Sequence, residues 1–174
     1  MPKPYSAALP IAYVVVRLLI VLNWLYGAAV AGLLVFTFVD EAWFMKAIDV
    51  PAGAEAVPIM AGLRAIAALG LVAVPLNHAI LKRLLAMVET VRGGDPFVAA
   101  NADRLRAIAW ALVALQLLSM VIGGIGKAIS SPEFPLHLDA GFSISGWLAV
   151  LLTFVLARVF AEGTLMSEDL EGTV

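Results

Sequence analysis

Four long apolar runs constrain this chain more than any other feature. Leu18 to Val39 holds 22 residues without an Asp, Glu, Lys or Arg, Ala65 to Leu81 holds 17, Ala107 to Gly126 holds 20 and Ala140 to Ala157 holds 18. A helix needs about 20 apolar residues to cross the ~30 Å hydrocarbon core of a bilayer. Backbone amides cannot go unpaired in lipid, so each run must be a helix or a strand of a closed barrel. Barrel strands alternate polar and apolar residues over about 10 positions, and these runs do not alternate. Composition agrees. The 174 residues are 63% hydrophobic and 14% charged, with mean hydropathy +1.00, whereas soluble domains carry about 25% charged residues. The sequence therefore predicts an all-α integral membrane four-helix bundle in a single domain, with spans at about 15–39, 58–82, 106–127 and 140–160. The first apolar stretch is too long for a signal peptide and no small-residue cleavage site follows it, so it is expected to stay as the first span.

Orientation follows from where Lys and Arg fall. Lys82, Arg83, Arg92, Arg104 and Arg106 lie in the link between spans two and three, Lys3 precedes span one and Arg158 follows span four. The other two links carry only Lys46 and Lys127, beside Asp40, Glu41, Asp49, Glu55, Glu133 and Asp139. Seven basic residues on one side against two on the other predict that both termini are cytoplasmic. Arg17 is expected to snorkel at the inner boundary.

The middle link reads as structured. Lys82 to Arg92 is KRLLAMVETVR, with Leu84, Leu85, Val88 and Val91 on one helical side, so span two is expected to continue into the cytoplasm. Gly93-Gly94 stops it. Asp95 fits an N-cap and Pro96 a first helical turn, which places the start of the next helix near Pro96. Helices two and three are thus predicted to form a cytoplasmic hairpin over residues 83–105. The last helix is expected to reach about Met166, and residues 163–174 end in an acidic cytoplasmic tail with Glu168, Asp169 and Glu171.

Polar residues within spans are costly and often functional. Asn23, Asn77 and Thr153 each lie about five residues, or roughly 8 Å, inside the expected cytoplasmic boundary. His78 and Trp110 fall near that level and Gln116 nearer the midplane. Together they predict a polar layer that either binds a small amphiphile or lipid, or holds the helices by interhelical hydrogen bonds of ~0.6 kcal/mol each. Arg64 sits inside the outer end of span two. Asp139 or Asp40 is its expected ion-pair partner; recognition of an external anion or lipid headgroup is the alternative. Gly27 and Gly32 are expected as packing notches on span one. Gly123, Gly124 and Gly126, at the end of span three, serve either close packing or a flexible exit.

Several classes are excluded. There is no cysteine, and the only other histidine besides His78 is His137, on the opposite face. No metal site and no cofactor is therefore expected, and no nucleophile–base pair marks an enzyme. A formal charge of −2 gives no basic excess for direct nucleic-acid binding.

Two segments carry a family likeness. GGDPFVAANADRLRAIAW, Gly93 to Trp110, and FSISGWLAVLLTFVLARVFAEGTLMSEDLEGTV, Phe142 to Val174, resemble the bacterial four-span membrane family catalogued as domain of unknown function 2975. The matching residues are Gly94, Pro96, Phe97, Asn101, Arg104, Leu105 and Arg106, and the tail from Glu168 to Val174. The resemblance implies four spans in a bacterial cytoplasmic membrane and no established catalytic residue. It also implies a neighbouring helix-turn-helix regulator of the Cro/repressor type. The resulting expectation is a non-enzymatic membrane regulator whose Asp95, Phe97, Asn101, Arg104, Arg106, Glu168, Asp169 and Glu171 bind that cytoplasmic protein. Membrane lipid and a second copy of the chain are the other partners considered.

Overall fold

A computed structural model describes residues 8–50, 53 and 56–171, with only the backbone path described for Ala8 and for 167–171. It is all-α: α1 (Ala8–Val39), α2 (Glu41–Ala47), α3 (Ala56–Arg92), α4 (Ala99–Ile129) and α5 (Ile144–Glu171), with no strand among the described residues. The four longer helices are long and apolar enough to cross a membrane, and the chain is a multi-pass membrane protein. α3 has 37 residues, roughly 55 Å at 1.5 Å per residue, so it exceeds the ~30 Å hydrocarbon core.

Successive long helices run antiparallel. Along α1 and α3, Tyr13 meets Arg92, Asn23 meets Val74 and Thr37 meets Arg64. Asn101 on α4 bonds Thr90 on α3, while Phe97 and Trp110 stack on Phe160 and Phe154 of α5. The start of α1, the α3–α4 turn and the last turns of α5 therefore gather at one end. Phe44 of α2 and Leu138 of the α4–α5 link line a common cleft at the other.

The four long helices of the expected bundle pack as an open row that does not close on itself. α1 packs on α3, α3 on α4 and α4 on α5, and no comparable packing joins α1 to α5. Buried apolar side chains accordingly concentrate on α3 and α4, while Leu25, Leu33 and Val35 of α1 and Leu151 and Leu152 of α5 stay exposed. The physical reason is the solvent. Acyl chains are as apolar as Leu, so no hydrophobic force drives the ring shut.

Local chemistry sets the helix ends. α3 stops at Arg92 through a Schellman motif: Gly94 N–H donates to Val91 O (3.2 Å), Asp95 N–H donates to Thr90 O (3.2 Å), and Gly94 takes φ +91°. α4 begins at Ala99, not near Pro96, and its N-cap is Val98 with no side-chain capping bond. Asp95 therefore does not cap it. Residues 95–98 stay non-helical because the chain there carries Phe97 across to α5, and the Pro96 carbonyl is taken by Asn101. α5 starts at Ile144 rather than Ala140. Gly141 at φ +130° turns the chain, and the Ser143 hydroxyl accepts the Gly146 N–H at 3.1 Å as an N-cap does.

α2 is an element the apolar runs did not reveal. Asp40 caps it, accepting the Trp43 N–H at 2.9 Å, and Glu41 and Lys46 sit at the ends that the helix dipole favours.

Candidate functional site

Three polar clusters stand on this frame. The first is at the end where α2 lies. Arg64 Nη2 donates to Glu41 Oε2 at 2.6 Å and to the Thr37 carbonyl at 2.5 Å, and its Nε donates to Thr37 Oγ1 at 3.2 Å. Its guanidinium carbon stands 4.1 Å from the centre of the Phe38 ring. Glu41, not Asp139 or Asp40, is thus the carboxylate that pairs with Arg64. Asp40 is committed to capping α2, and that cap fixes where the next residue, Glu41, points. The Arg64 side chain is 21% exposed, and its donors are met by three acceptors, two on Thr37 of α1 and one on Glu41 of α2.

Beside this cluster lies a cleft of about 420 Å³ between α1, α3, α4 and the α4–α5 link. Leu33, Phe44, Leu63, Gly70 and Ile122 give it apolar walls, and Thr37 and Asp139 supply polar groups. No α5 residue lines it, which follows from the open row.

The second cluster is the expected mid-span layer, and the structure divides it between two interfaces. On α1 and α3, Asn23 donates to the Val74 carbonyl at 3.1 Å, Trp24 Nε1 donates to His78 Nδ1 at 3.2 Å, and Asn77 shares a shallow groove with Asn23. On α4 and α5, Gln116 lies against Gly146, where any β-carbon would collide with its amide, and Trp110 meets Phe154 edge-on with ring centres 5.4 Å apart. Thr153 bonds only its own helix, to Ala149 O at 2.7 Å. Gln116 Oε1 and Trp147 Nε1 are buried without a hydrogen-bond partner among the described residues. Equal depth did not mean one site, because depth carries no information about which way a side chain faces.

The third cluster closes the α3–α4 turn. Asn101 is fully buried. Its amide nitrogen donates to Thr90 Oγ1 at 2.8 Å and to the Pro96 carbonyl at 2.9 Å, and its carbonyl accepts from Arg104 at 2.7 Å. Asn101 is therefore internal to the turn and offers no surface to a partner. Arg104 is half-buried beside it. Asp95 and Arg106 are exposed, Arg106 lying 3.4 Å from Asp103. Phe97 is 44% exposed, with its other face on Phe160 and Gly163. Glu168, Asp169 and Glu171 lie on the last turn of α5, with side chains outside the described residues.

Glycines mark the closest approaches. A β-carbon on Gly123 would lie 2.6 Å from the Ala140 carbonyl oxygen, and one on Gly27 3.0 Å from Val74. Gly32 and Gly124 face open space, so Gly32 is not a packing notch. α4 runs on through Gly126 to Ile129, so this glycine group is not a flexible exit.

Thr90, Thr37, Glu41 and Trp24 each hold an expected residue, yet no apolar run or motif singled them out. Among the described residues, no group of three or more His, Asp or Glu is placed to hold a metal ion. No enzymatic family or fold is indicated by any comparison. No curated protein and no solved structure matches the chain. One family does: that described as protein of unknown function (DUF2975), over residues 48–174. This match covers most of the chain, from just after α2 through α3, the α3–α4 turn and α5 to the tail, and the protein belongs to that family.

Proposed function

We propose that the chain is a non-enzymatic regulator in a bacterial cytoplasmic membrane, with both termini in the cytoplasm, that holds a soluble protein at the end built by the α3–α4 turn and α5. The observation that supports this is the internal hydrogen bonding of that turn. A Schellman motif and three hydrogen bonds through buried Asn101 fix a short connection that presents Asp95, Phe97, Asp103 and Arg106 to solvent. A surface held by internal bonds loses little entropy when a partner docks, which suits recognition. The partner that the family resemblance implies is a helix-turn-helix protein, which would also engage the acidic residues Glu168, Asp169 and Glu171.

The test is photocrosslinking in cells from a probe placed at Asp95, which is exposed and leaves the Phe97–Phe160 contact intact. Recovery of a small DNA-binding protein is expected, and its loss on deleting Ser167–Val174 assigns the tail to the dock. Recovery of only lipid, or of the chain itself, removes this reading.

The cleft favours a second reading, amphiphile binding. Its volume of about 420 Å³ falls within the ~300–1,000 Å³ of small-molecule sites, its walls are apolar and Asp139 lies at it. A specific lipid or amphiphile that co-purifies with the protein supports it, and purification free of any such molecule counts against it.

A further inference from the structure

We propose that Arg17, Tyr13 and Arg92 form a clamp for the phosphate of an anionic phospholipid, where α1 begins and α3 ends. The guanidinium carbons of Arg17 and Arg92 lie 4.6 and 4.9 Å from the centre of the same Tyr13 ring. Two like charges gathered at one ring normally call for a carboxylate nearby. Among the described residues the ion pairs are Arg64–Glu41, Arg106–Asp103 and Arg158–Glu162, and none includes Arg17 or Arg92. A π-face attracts a guanidinium through the ring quadrupole but takes up none of its five N–H donors in ordinary hydrogen bonds. Both arginines are exposed, so those donors face outward, held in place and unpaired within the described chain.

The surroundings identify the anion. Arg17 directly precedes the uncharged run from Leu18. Leu18, Val21, Leu22 and Leu25 follow it along α1 and are 48–60% exposed, which is lipid-facing apolar surface. The clamp therefore stands at the level where acyl chains give way to headgroups, and a phosphodiester occurs there at high local concentration. Guanidinium forks match phosphate oxygens in geometry and charge, and basic sites between membrane helices are recurrent seats for acidic lipids. A free phosphate shares this chemistry but has no tail to cover Leu18, Leu22 and Leu25.

The full-length protein in nanodiscs of mixed phosphatidylglycerol and phosphatidylcholine provides the test, with retained lipid identified by native mass spectrometry. Phosphatidylglycerol is expected to be retained preferentially, and R17Q/R92Q is expected to lower that preference on the order of tenfold. Tyr13→Leu should lower it as well, whereas Tyr13→Phe, which keeps the ring, should not. R106Q/R158Q removes the same charge from the same end, away from Tyr13, and should keep the preference. Equal loss in both double variants overturns the clamp in favour of diffuse charge. Binding of inorganic phosphate to the detergent-solubilised chain that abolishes lipid retention overturns the lipid as ligand. Unchanged circular dichroism and melting in R17Q/R92Q separate loss of the site from loss of the fold.

Discussion

The Asn101 amide nitrogen lies 2.8 Å from Thr90 Oγ1, across the turn that joins α3 to α4. The Thr90 hydroxyl in turn donates to the Met87 carbonyl at 2.8 Å, so one buried amide ties the end of α3, the turn and the first turn of α4 together. Asn101→Ala is expected to cost about 1–3 kcal/mol, because it strands Thr90, the Pro96 carbonyl and Arg104 at once. Thr90→Val should cost less, and the double variant should fall short of the sum of the two. Thermal unfolding in detergent measures all three, and a melting temperature unmoved by Asn101→Ala would sink the claim.

The Arg64 cluster yields an asymmetric pair of outcomes. Glu41 is 45% exposed, and ion pairs with such access are worth about 0–1 kcal/mol. Glu41→Gln should therefore change stability little. Arg64→Ala removes donors from the Thr37 carbonyl and hydroxyl as well as from Glu41, and is expected to cost about 1–3 kcal/mol. Equal losses from the two substitutions would mean that the carboxylate, not Thr37, is what Arg64 serves.

The spans were legible because an apolar run is a local property, and so was the stop at Gly93-Gly94, since a residue at φ +91° favours glycine. The partners were not. Thr90 is a single threonine in a helix, and only the turn brings it to Asn101. Glu41 was one of four acidic residues in its link, and choosing it needs the geometry of a helix whose start is set by Asp40. The open row was beyond reach for a different reason. Lipid-facing and helix-facing positions are both apolar in a membrane, so hydrophobic pattern alone does not tell Leu25, which is exposed, from Val74, which is buried.

Four glycines divide by what surrounds them. Gly123→Ala forces a β-carbon onto the backbone at Ala140 and is expected to destabilise by about 1–3 kcal/mol. Gly32 and Gly124 lie within helices with open space around them, so Ala there should be neutral or stabilise by about 0.5–1 kcal/mol. Gly70 also has room, but that room is the cleft. Gly70→Leu should leave the fold intact while filling the site, and any amphiphile held there should vanish from the purified protein.

Orientation is testable with little ambiguity because the chain has no cysteine, so one introduced thiol is the only one a maleimide can label. Asp95 and Glu133 are both exposed, the first in the α3–α4 turn and the second in the α4–α5 link, at opposite ends of α4. Six of the eight described Lys and Arg residues in the links and flanks fall at the Asp95 end, and such residues resist translocation. Asp95→Cys should therefore react with a membrane-impermeant maleimide only after cells are opened, and Glu133→Cys should react in intact cells. The reverse pattern would place the α3–α4 turn outside. A cytoplasmic protein docked at Asp95, Phe97 and Arg106 would then have no route to its site.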